Sequence, residues 1–551
     1  MNGAQVIAEI LKREGTDILF CYPRNPLIDA CAEIDIRPIL CRQERVGISM
    51  ADGYTRVHRG LRNGVFAVQS GAGVENAFPG VAQAYSENVP LLVISGGGMT
   101  SISQYYNEPV FRAAEVFAPV TKWAAVVHSA KDLPDVLRRA YHAMRSGKMG
   151  PVLLDIPDEV WNEQFEGEIN YDPVPVVRTA PDAAAVREAA EMLLAAENPV
   201  LWAGQGVLYA EASAQLIELA ELLPAPVLTT NPGKSAIPEN HPLALGASTR
   251  SQPKMFTEFL KKADLVFAIG SSLSKTWFGP RMPPGKKVIH ATNAASDINK
   301  DYRADLGMVG DAKLVLEAVI GEVRRQKGDG GDNALAALKD EVASVKKAWQ
   351  EEWAKFLSSD EVPLNQYRVI RELMNELDRD NVIMTHDSGG PREQLLPFWE
   401  TTKPLSYLGW GKSTQLGHGL GLAMGAKLAA PDKLCINLMG DSAIGMTGMD
   451  LETASRNGIA SLTIVFNNGA MAIERDSLPT STAKYGAMTV GGNYAKVAEG
   501  LNVQSRRVEA PADIVPAIRE AVAVTQSGKP FLLEFVVKEG YDFSRYFLEG
   551  L

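Results

Sequence analysis

Two polar residues, Asp441 and Asn468, each follow an apolar run that has the character of a buried strand. The runs are residues 434–439 and 462–466, and Asn468 lies 27 residues after Asp441. A helical pattern between the runs predicts a single βαβ crossover, which places both residues at the same edge of a parallel sheet. Carboxylate and amide oxygens at such an edge suit Mg²⁺, which also binds phosphate oxygens. The alternative is that Asp441 caps a helix and Asn468 forms a turn.

A second acidic residue, Glu44, follows the strand-like residues 37–40 and opens a helical pattern over residues 44–54. Taken alone, Glu44 is typical of a first-turn acid that the positive end of a helix stabilises. Gly47 and Gly53 leave part of this helix without bulky side chains. This helix is therefore expected to pack closely against another element.

The segments around these residues are GDSAIGMTGMDLETA, VFNNGAMAIER and RQERVGISMADGYTR. They resemble the motifs of thiamine-diphosphate-dependent enzymes, in the branch of the acetolactate synthases and 2-oxoacid decarboxylases. The resemblance implies that Asp441, Asn468 and the carbonyl of Ala470 bind Mg²⁺. Ser442 stands where the family has a glycine, and a hydroxyl there can still contact the diphosphate. Further residues that the resemblance assigns to the cofactor are Gly440, Ser442, Ala470 and Met471.

By the same resemblance, Glu44 hydrogen-bonds the aminopyrimidine ring of the cofactor. A carboxyl group is needed because protonating one ring nitrogen favours the imino tautomer. The freed nitrogen of that tautomer then removes the proton from C2 of the thiazolium ring. For this task the carboxyl must keep a raised pKa, which burial supplies.

Other positions acquire roles through the resemblance. Leu416 matches the aliphatic residue that wedges between the two cofactor rings, and backbone groups near Gly417 would face the pyrimidine. Ser70 opens a turn that resembles the family's Ser-Gly-Pro-Gly, and Glu474 falls where some decarboxylases place a catalytic acid. The alternatives are core packing for Leu416, close helix–strand contact for the glycine and a solvated helix position for Glu474. His418 is either a site residue or an ordinary core or surface histidine.

The substrate is less well defined. Arg24 and Asn25 stand where many relatives have a glycine-rich loop, and they are expected to bind a substrate carboxylate unless they form a solvated loop. Gln104 lies in the region where acetolactate synthases carry Phe-Gln-Glu and pyruvate-decarboxylase-like enzymes carry His-His. Neither motif is present, so the resemblance leaves the acceptor substrate open.

The middle of the chain contains glycine turns at residues 204–206 and 270–272, each after a strand-like run. A single G-x-G is weak support for a dinucleotide, and the full G-x-G-x-x-G of a dehydrogenase is not found. In the family this domain holds FAD, ADP or nothing. Flavin-binding relatives have an arginine-rich segment where SSLSKTWFG stands here, so FAD is not expected.

The elements that must position these residues alternate short apolar runs with helical patterns along the whole chain. This alternation predicts three doubly wound α/β domains with parallel sheets. Residues 171–182 carry three prolines and residues 327–333 are rich in Gly and Asp, so both read as linkers. The predicted domains are an N-terminal pyrimidine domain over residues 1–172, a central Rossmann-like domain over residues 183–326 and a C-terminal diphosphate domain over residues 360–551.

Composition excludes several classes of protein. The chain has 551 residues, 55 Lys and Arg against 66 Asp and Glu, and a net charge of −11. This balance argues against a general nucleic-acid-binding surface, and no apolar stretch is long enough for a membrane span. Charged residues interrupt the first helical pattern, so it is not a signal peptide. The four cysteines form no zinc or disulfide pattern, and a cytoplasmic location is expected.

Taken together, the residues and the resemblance predict an enzyme that breaks or makes a C–C bond next to a carbonyl. Decarboxylation of a 2-oxo acid, with or without ligation to an aldehyde or ketone, is the expected reaction. A lyase acting on 2-hydroxyacyl-CoA or 2-hydroxy ketones is the alternative, and an inactive regulatory subunit is a third. The resemblance also implies a homodimer or homotetramer, because in the family the pyrimidine domain of one chain faces the diphosphate domain of another.

Overall fold

The apolar runs of the first domain form a six-stranded sheet in which all strand pairs are parallel. The computed structural model describes residues 1–97, 111–327, 333–540 and 542–546. The strand order is β2-β1-β3-β4-β6-β5. The strands are β1 (Ile18–Cys21), β2 (Arg37–Leu40), β3 (Val65–Val68), β4 (Leu92–Gly97), β5 (Trp123–Val126) and β6 (Val152–Pro157). The helices are α1 (Gly3–Arg13), α2 (Leu27–Ala32), α3 (Glu44–Val57), α4 (Ala72–Ser86), α5 (Ala113–Phe117), α6 (Leu133–Arg145) and α7 (Asp158–Asn162).

The central domain also has a six-stranded parallel sheet, in the order β12-β11-β10-β7-β8-β9. Its first helix begins directly after the proline-rich linker because the Asp182 side chain accepts the backbone N–H groups of Ala184 and Ala185. The strands are β7 (Pro199–Ala203), β8 (Val227–Thr230), β9 (Ala244–Ser248), β10 (Leu265–Ile269), β11 (Lys287–Thr292) and β12 (Leu306–Val309). The helices are α8 (Ala183–Ala195), α9 (Gln205–Tyr209), α10 (Ser213–Leu222), α11 (Lys254–Lys262) and α12 (Ala312–Lys327).

The third sheet repeats the topology of the first, in the order β14-β13-β15-β16-β18-β17. A long helix, α13 (Asn333–Leu357), leads into it. The strands are β13 (Val382–His386), β14 (Tyr407–Leu408), β15 (Leu434–Gly440), β16 (Leu462–Asn467), β17 (Gln504–Val508) and β18 (Phe531–Val536). The helices are α14 (Gln366–Glu376), α15 (Gly390–Phe398), α16 (His418–Ala429), α17 (Asp441–Thr447), α18 (Leu451–Asn457), α19 (Pro479–Tyr485), α20 (Tyr494–Gly500) and α21 (Ile514–Gln526). The prediction of three parallel α/β sheets is confirmed.

The predicted crossover between β15 and β16 is present, and the two strands are parallel neighbours with Gly440 opposite Phe466. One detail differs from the single helix that was expected. The connection is split into α17, a 3-10 turn over Gly448–Asp450 and α18. The chain reorients at this turn, which gives Asp450 a buried position between the two short helices.

Helices α3 and α16 bring the first and third domains into close contact. A Cβ atom on Gly53 would overlap the carbonyl oxygen of Leu422, and a Cβ atom on Gly425 would overlap that of Met50. Glycine is required at both positions because the helix backbones approach so closely. The face of α3 that lacks bulky side chains therefore serves this contact, and the two domains share one apolar cluster.

Helix α13 joins the central and third domains through aromatic packing. The ring centres of Trp349 and Phe398 are 4.8 Å apart in a stacked arrangement, and those of Trp353 and Tyr367 are 4.9 Å apart. Both tryptophans belong to an apolar cluster that also contains Phe256 of the central domain. No helix within the described parts of the chain is long and apolar enough to cross a membrane.

Candidate active site

A cavity of about 200 Å³ lies beyond the carboxyl ends of β13 and β15. The chain leaves β13 towards one side of the sheet and continues from β15 towards the other, so this is the topological switch point where open α/β sheets bind ligands. Most of the residues predicted for the cofactor line this cavity. They are Leu416, Gly440, Asp441, Ser442, Asn468, Ala470, Met471 and Glu474.

Asp441 begins α17 at the end of β15, and its carboxylate joins two loops. Its Oδ1 accepts the backbone N–H of Ser442 at 2.7 Å, and its Oδ2 accepts the backbone N–H of Gly469 at 2.8 Å. Burial raises the pKa of the Asp441 carboxyl, while these backbone hydrogen bonds lower it. The carboxylate is thus fixed against the turn that follows β16, as the predicted crossover requires.

The turn after β16 presents the other predicted metal ligands. The side-chain oxygen of Asn468 accepts the backbone N–H of Ala470 at 3.1 Å, and Gly469 has a φ of +70°. The hydroxyl of Ser442 donates to the sulfur of Met471 at 2.8 Å, which links this turn to α17. Asp441, Asn468 and Ala470 therefore line one cavity, and together they offer a carboxylate, an amide oxygen and a backbone carbonyl. Such oxygen donors suit Mg²⁺, although no three His, Cys, Asp or Glu residues cluster as a metal site in the described ranges.

Asp387, which the sequence did not single out, holds the loop that carries Leu416. Its Oδ1 accepts the backbone N–H of Gly417 at 2.9 Å and its Oδ2 accepts that of Gly419 at 2.9 Å. Gly417 has a φ of +91°, a left-handed conformation that favours glycine. Burial raises the pKa of the Asp387 carboxyl to about 6. The run of residues 382–390, a strand followed by Asp-Ser-Gly-Gly, is the sequence signal that could have revealed it.

Glu44 is the first residue of α3 and is buried. Burial raises the pKa of its carboxyl, whereas a hydrogen bond from the Asn76 side chain in α4 lowers it. One turn further along α4, the carbonyl of Pro79 accepts the Gln415 side-chain N–H at 2.5 Å. Helix α4 therefore contacts both Glu44 and the loop of Leu416. Glu44 itself is not among the described residues that line the cavity around Asp441.

The other predicted residues of the first domain lie at the carboxyl ends of β1 and β3. Ser70 is exposed after β3, and Arg24 is exposed in the loop after β1. The Asn25 side chain donates to the carbonyls of Val68 at 3.0 Å and Ile94 at 3.3 Å. Its amide is therefore used to hold the loop. Gln104 lies outside the described residues.

His418 occupies the junction of α3 and α16. Its Nδ1 lies 2.9 Å from the Ser49 hydroxyl, and its Nε2 lies 3.7 Å from Oδ2 of Asp52. Asp52 is paired with Arg56, whose guanidinium donates to the carbonyl of Gly409 at 2.9 Å. Burial holds the pKa of His418 well below its ordinary value, so the ring is neutral and serves the interdomain contact.

The glycine turns of the central domain pack against each other. The backbone N–H of Gly206 donates to the carbonyl of Gly270 at 2.9 Å, and a Cβ atom on Gly204 would overlap that same carbonyl oxygen. Close packing of the two loops thus accounts for the glycines at these positions.

The wall of the cavity carries two arginines that the sequence did not reveal. The guanidinium of Arg250 lies 4.5 Å from the ring centre of Phe278, and that of Arg392 lies 4.9 Å from it. Arg392 is buried and donates to one carboxylate oxygen of Glu393 at 2.8 and 2.9 Å. Arg250 is exposed on the cavity wall. These residues are distant in sequence from the recognisable motifs, and only the fold brings them together.

Three family models match the chain in succession. They describe the N-terminal TPP-binding domain (residues 1–114), the central domain (residues 186–319) and the C-terminal TPP-binding domain (residues 387–535) of thiamine pyrophosphate enzymes. A probable acetolactate synthase large subunit of Methanocaldococcus jannaschii is 30% identical over 98% of this chain and 92% of its own length. One from Methanococcus aeolicus is 29% identical over 98% and 92%.

A glyoxylate carboligase of Escherichia coli O157:H7 is likewise similar, at 29% identity over 98% of this chain and 93% of its own length. The three domains occur in the order that the motifs predicted, and the two motifs of the third domain meet at one sheet edge. The chain therefore belongs to the family of thiamine-diphosphate-dependent enzymes.

Proposed function

We propose that this chain decarboxylates a 2-oxo acid with thiamine diphosphate and Mg²⁺, and that the carbon that loses CO₂ is then protonated or bonded to the carbonyl carbon of a second compound. The observation that carries this proposal is the contact between Asp441 and the turn over residues 468–470 at the switch-point cavity. The names of the relatives, which include acetolactate synthases and a glyoxylate carboligase, support the same reaction class.

The residues around the cavity fit the cofactor. Asp441, Asn468 and the carbonyl of Ala470 would hold Mg²⁺ and through it the diphosphate. Gly389 and Gly390 line the cavity at the start of α15, and a Cβ atom on Gly389 would meet no atom within 4 Å. The backbone there is open to a phosphate group. When bound, thiamine diphosphate supplies the electron sink that stores the charge released by decarboxylation.

Glu44 would hold a proton at its carboxyl and share it with a ring nitrogen of the cofactor. Its buried position and raised pKa support this role, because burial disfavours the charged carboxylate and a protonated carboxyl can donate a hydrogen bond. Asp387 would fix the loop over residues 416–419, so that Leu416 keeps its place in the cavity wall. The apolar side chains of Leu416 and Met471 would exclude water from the reacting carbon. Glu474, which also lines the cavity, is proposed as an acid for the final proton transfer.

The substrate is proposed to carry a carboxylate that Arg250 binds. Arg392 is already paired with Glu393, whereas Arg250 is exposed on the wall of the same cavity. A cation on this wall favours an anionic substrate over a neutral aldehyde or ketone as donor. Arg24 after β1 is proposed as a second contact for the substrate. FAD is not proposed, since the central glycine turns are explained by packing.

The working unit is proposed to be a homodimer or homotetramer in a reducing, cytoplasmic environment. Glu44 is not among the described residues that line the cavity around Asp441, which supports a site that a second chain completes. Met446 and Met449 are each 51% exposed near that cavity, and such apolar side chains suit a subunit interface. All four cysteines are buried and unpaired, as expected where thiols stay reduced.

The test is a screen of the purified protein with thiamine diphosphate and MgCl₂ against 2-oxo acids, glyoxylate, 2-hydroxy ketones and 2-hydroxyacyl-CoA compounds. The proposal predicts CO₂ release from 2-oxo acids, with ligation products when an aldehyde or ketone is added. Cleavage of the hydroxyacyl-CoA compounds or hydroxy ketones alone would instead support the lyase. No turnover of any compound despite cofactor binding would support an inactive subunit.

The role of Arg250 has its own test. Arg250→Gln is expected to raise KM for the 2-oxo acid about 10- to 100-fold, because a hydrogen bond to a charged group contributes roughly 1.5–3 kcal/mol. Arg303→Gln, at an exposed arginine of the same domain, is the matched control. An unchanged KM in Arg250→Gln would remove this residue from the substrate site.

A further inference from the structure

Asp450 makes a buried contact between the first and third domains. It is fully buried in the turn between α17 and α18. Its Oδ1 accepts the backbone N–H of Arg42 at 2.8 Å, and it also accepts the hydroxyl of Thr453 at 2.9 Å. Its Oδ2 has no hydrogen-bond partner in the described structure. The contact with Arg42 links residues 408 positions apart.

A helix-capping role does not explain this carboxylate. Asp450 is the N-cap residue of α18, yet its side chain makes no capping hydrogen bond to the backbone of that helix. Its Oδ1, which could otherwise cap the helix, instead accepts the backbone N–H of Arg42 in the first domain. Burying a carboxylate is costly unless charged or polar partners compensate it, so a contact with a specific task is expected.

The backbone that Asp450 holds leads directly to Glu44. Arg42 stands two residues before Glu44, in the turn between β2 and α3. Gln43, the N-cap residue of α3, makes no capping hydrogen bond with its side chain. The turn is therefore not held by local capping. A second bond reaches the end of β2 just before this turn, where the guanidinium of Arg456 in α18 donates to the carbonyl of Leu40 at 2.8 Å.

The charged side chains around Asp450 are paired with one another. The Arg42 side chain pairs with Glu452 at 3.4 Å, and Arg456 pairs with Glu452 at 2.9 Å. The thiol of Cys41 and the carboxyl of Glu44 lie on the same turn. Burial raises the pKa of Asp450 to about 6, so the carboxylate is ionised in neutral solution. Ionised acceptors make shorter and stronger hydrogen bonds than neutral ones.

We infer that Asp450 is a positioning residue, which fixes the turn over residues 41–43 and thereby the orientation of the Glu44 carboxyl toward the cofactor. This inference rests on the proposed function, because it assigns a consequence to the position of Glu44. A general acid or base must stay within hydrogen-bond distance of its partner atom. A displacement of about 1 Å far from the reacting atoms is enough to cost on the order of 100-fold in rate.

The test compares Asp450→Ala and Asp450→Asn with wild type by H/D exchange at C2 of bound thiamine diphosphate, alongside calorimetric Kd values for the cofactor with Mg²⁺. Asp450→Ala is expected to slow exchange about 10- to 100-fold while the Kd changes little. Asp450→Asn keeps an acceptor oxygen and is expected to restore most of the rate. Asp432→Asn, at an exposed aspartate of the same domain, is the control and should exchange like wild type.

Three results would overturn the inference: Asp450→Ala exchanging at the wild-type rate, Asp450→Asn being as slow as Asp450→Ala, and cofactor binding falling in step with exchange. The last would show that Asp450 only maintains the fold.

If Asp450→Ala does not fold, Thr453→Val is the second variant. It removes the other donor to Oδ1, leaves the Arg42 contact and should keep the wild-type rate. Failure of the proposed function is distinct, because wild type would then not bind the cofactor or would show no exchange.

Discussion

The carboxylate of Asp441 accepts the backbone N–H of Gly469 at 2.8 Å, although the two residues belong to loops after different strands. The contact exists because β15 and β16 are parallel neighbours whose carboxyl ends meet at one edge. It places the acidic residue beside Asn468 and Ala470 before any ligand is bound. A site arranged in this way loses little conformational entropy when a metal ion and a diphosphate enter.

Asp441→Ala is expected to weaken binding of thiamine diphosphate in the presence of Mg²⁺. Loss of an outer partner of a metal site typically costs 10–100-fold in affinity, and loss of a ligand should cost at least about as much. Isothermal titration calorimetry measures the effect. Asp432→Ala, at an exposed aspartate of the same domain, is the control. An affinity that survives both Asp441→Ala and removal of Mg²⁺ by EDTA would contradict the assignment.

Much of the fold and the centre of the site could be predicted from sequence because their signals are local. The strand-like run at residues 434–439 and the turn after it identify Asp441, and the neighbouring run identifies Asn468. The helix that begins at Ala183 could be placed because Asp182 caps it. In each case one short segment contains both the apolar pattern and the polar residue that ends it.

Other parts of the site could not be predicted because their signals are not local. Asp387, Asp450 and Arg250 act across loops or domains, and nothing near them in sequence names their partners. Asn25 shows a different difficulty. A substrate role is predicted for it, and in the structure its amide donates to backbone carbonyls of β3 and β4. A polar loop residue does not reveal from sequence whether it faces a ligand or its own backbone.

Leu416→Ala should keep the fold and reduce catalysis. Leu416 is half-buried and lines the cavity, so its side chain is available to contact the cofactor. Removing it leaves the two cofactor rings without their wedge, and kcat is expected to fall about 10-fold or more because the reacting groups are misaligned. Leu416→Met, which conserves volume, should stay close to wild type. Steady-state kinetics check this, and equal rates in Leu416→Ala and wild type would exclude the wedge role.

The raised pKa of Asp387 predicts that the stability of the folded protein depends on pH. Its pKa is raised to about 6 in the folded protein, so its stabilising contribution is complete below the unfolded pKa and is lost as pH rises through about 6. Between pH 5 and pH 7 this loss amounts to about 1 kcal/mol in the free energy of unfolding. In the Asp387→Asn protein, the change in the free energy of unfolding between these two pH values should be smaller by this amount. Urea unfolding of both proteins at both pH values measures it, and identical pH dependence would contradict the shifted pKa.

A shared site predicts complementation between two inactive variants. Glu44→Ala and Asp441→Ala proteins, mixed and allowed to exchange subunits, should form hybrids with one intact site. In a dimer with random exchange the mixture should recover about a quarter of wild-type activity, since half of the dimers are hybrids and each has one intact site of two. Subunit exchange is verified by native mass spectrometry. Proven exchange without recovery would mean that each chain completes its own site.

The central claim is that Glu44 activates thiamine diphosphate, and H/D exchange at C2 of the bound cofactor tests it most directly. Glu44→Gln keeps the size and hydrogen-bonding ability of the side chain but cannot share a proton with the ring. It should retain cofactor binding and exchange about 10²–10⁴-fold more slowly than wild type, the range typical of lost general acid–base assistance. Glu75→Gln, at an exposed first-turn acid of α4, is the control. Equal exchange rates in wild type and Glu44→Gln would show that Glu44 only stabilises the start of α3.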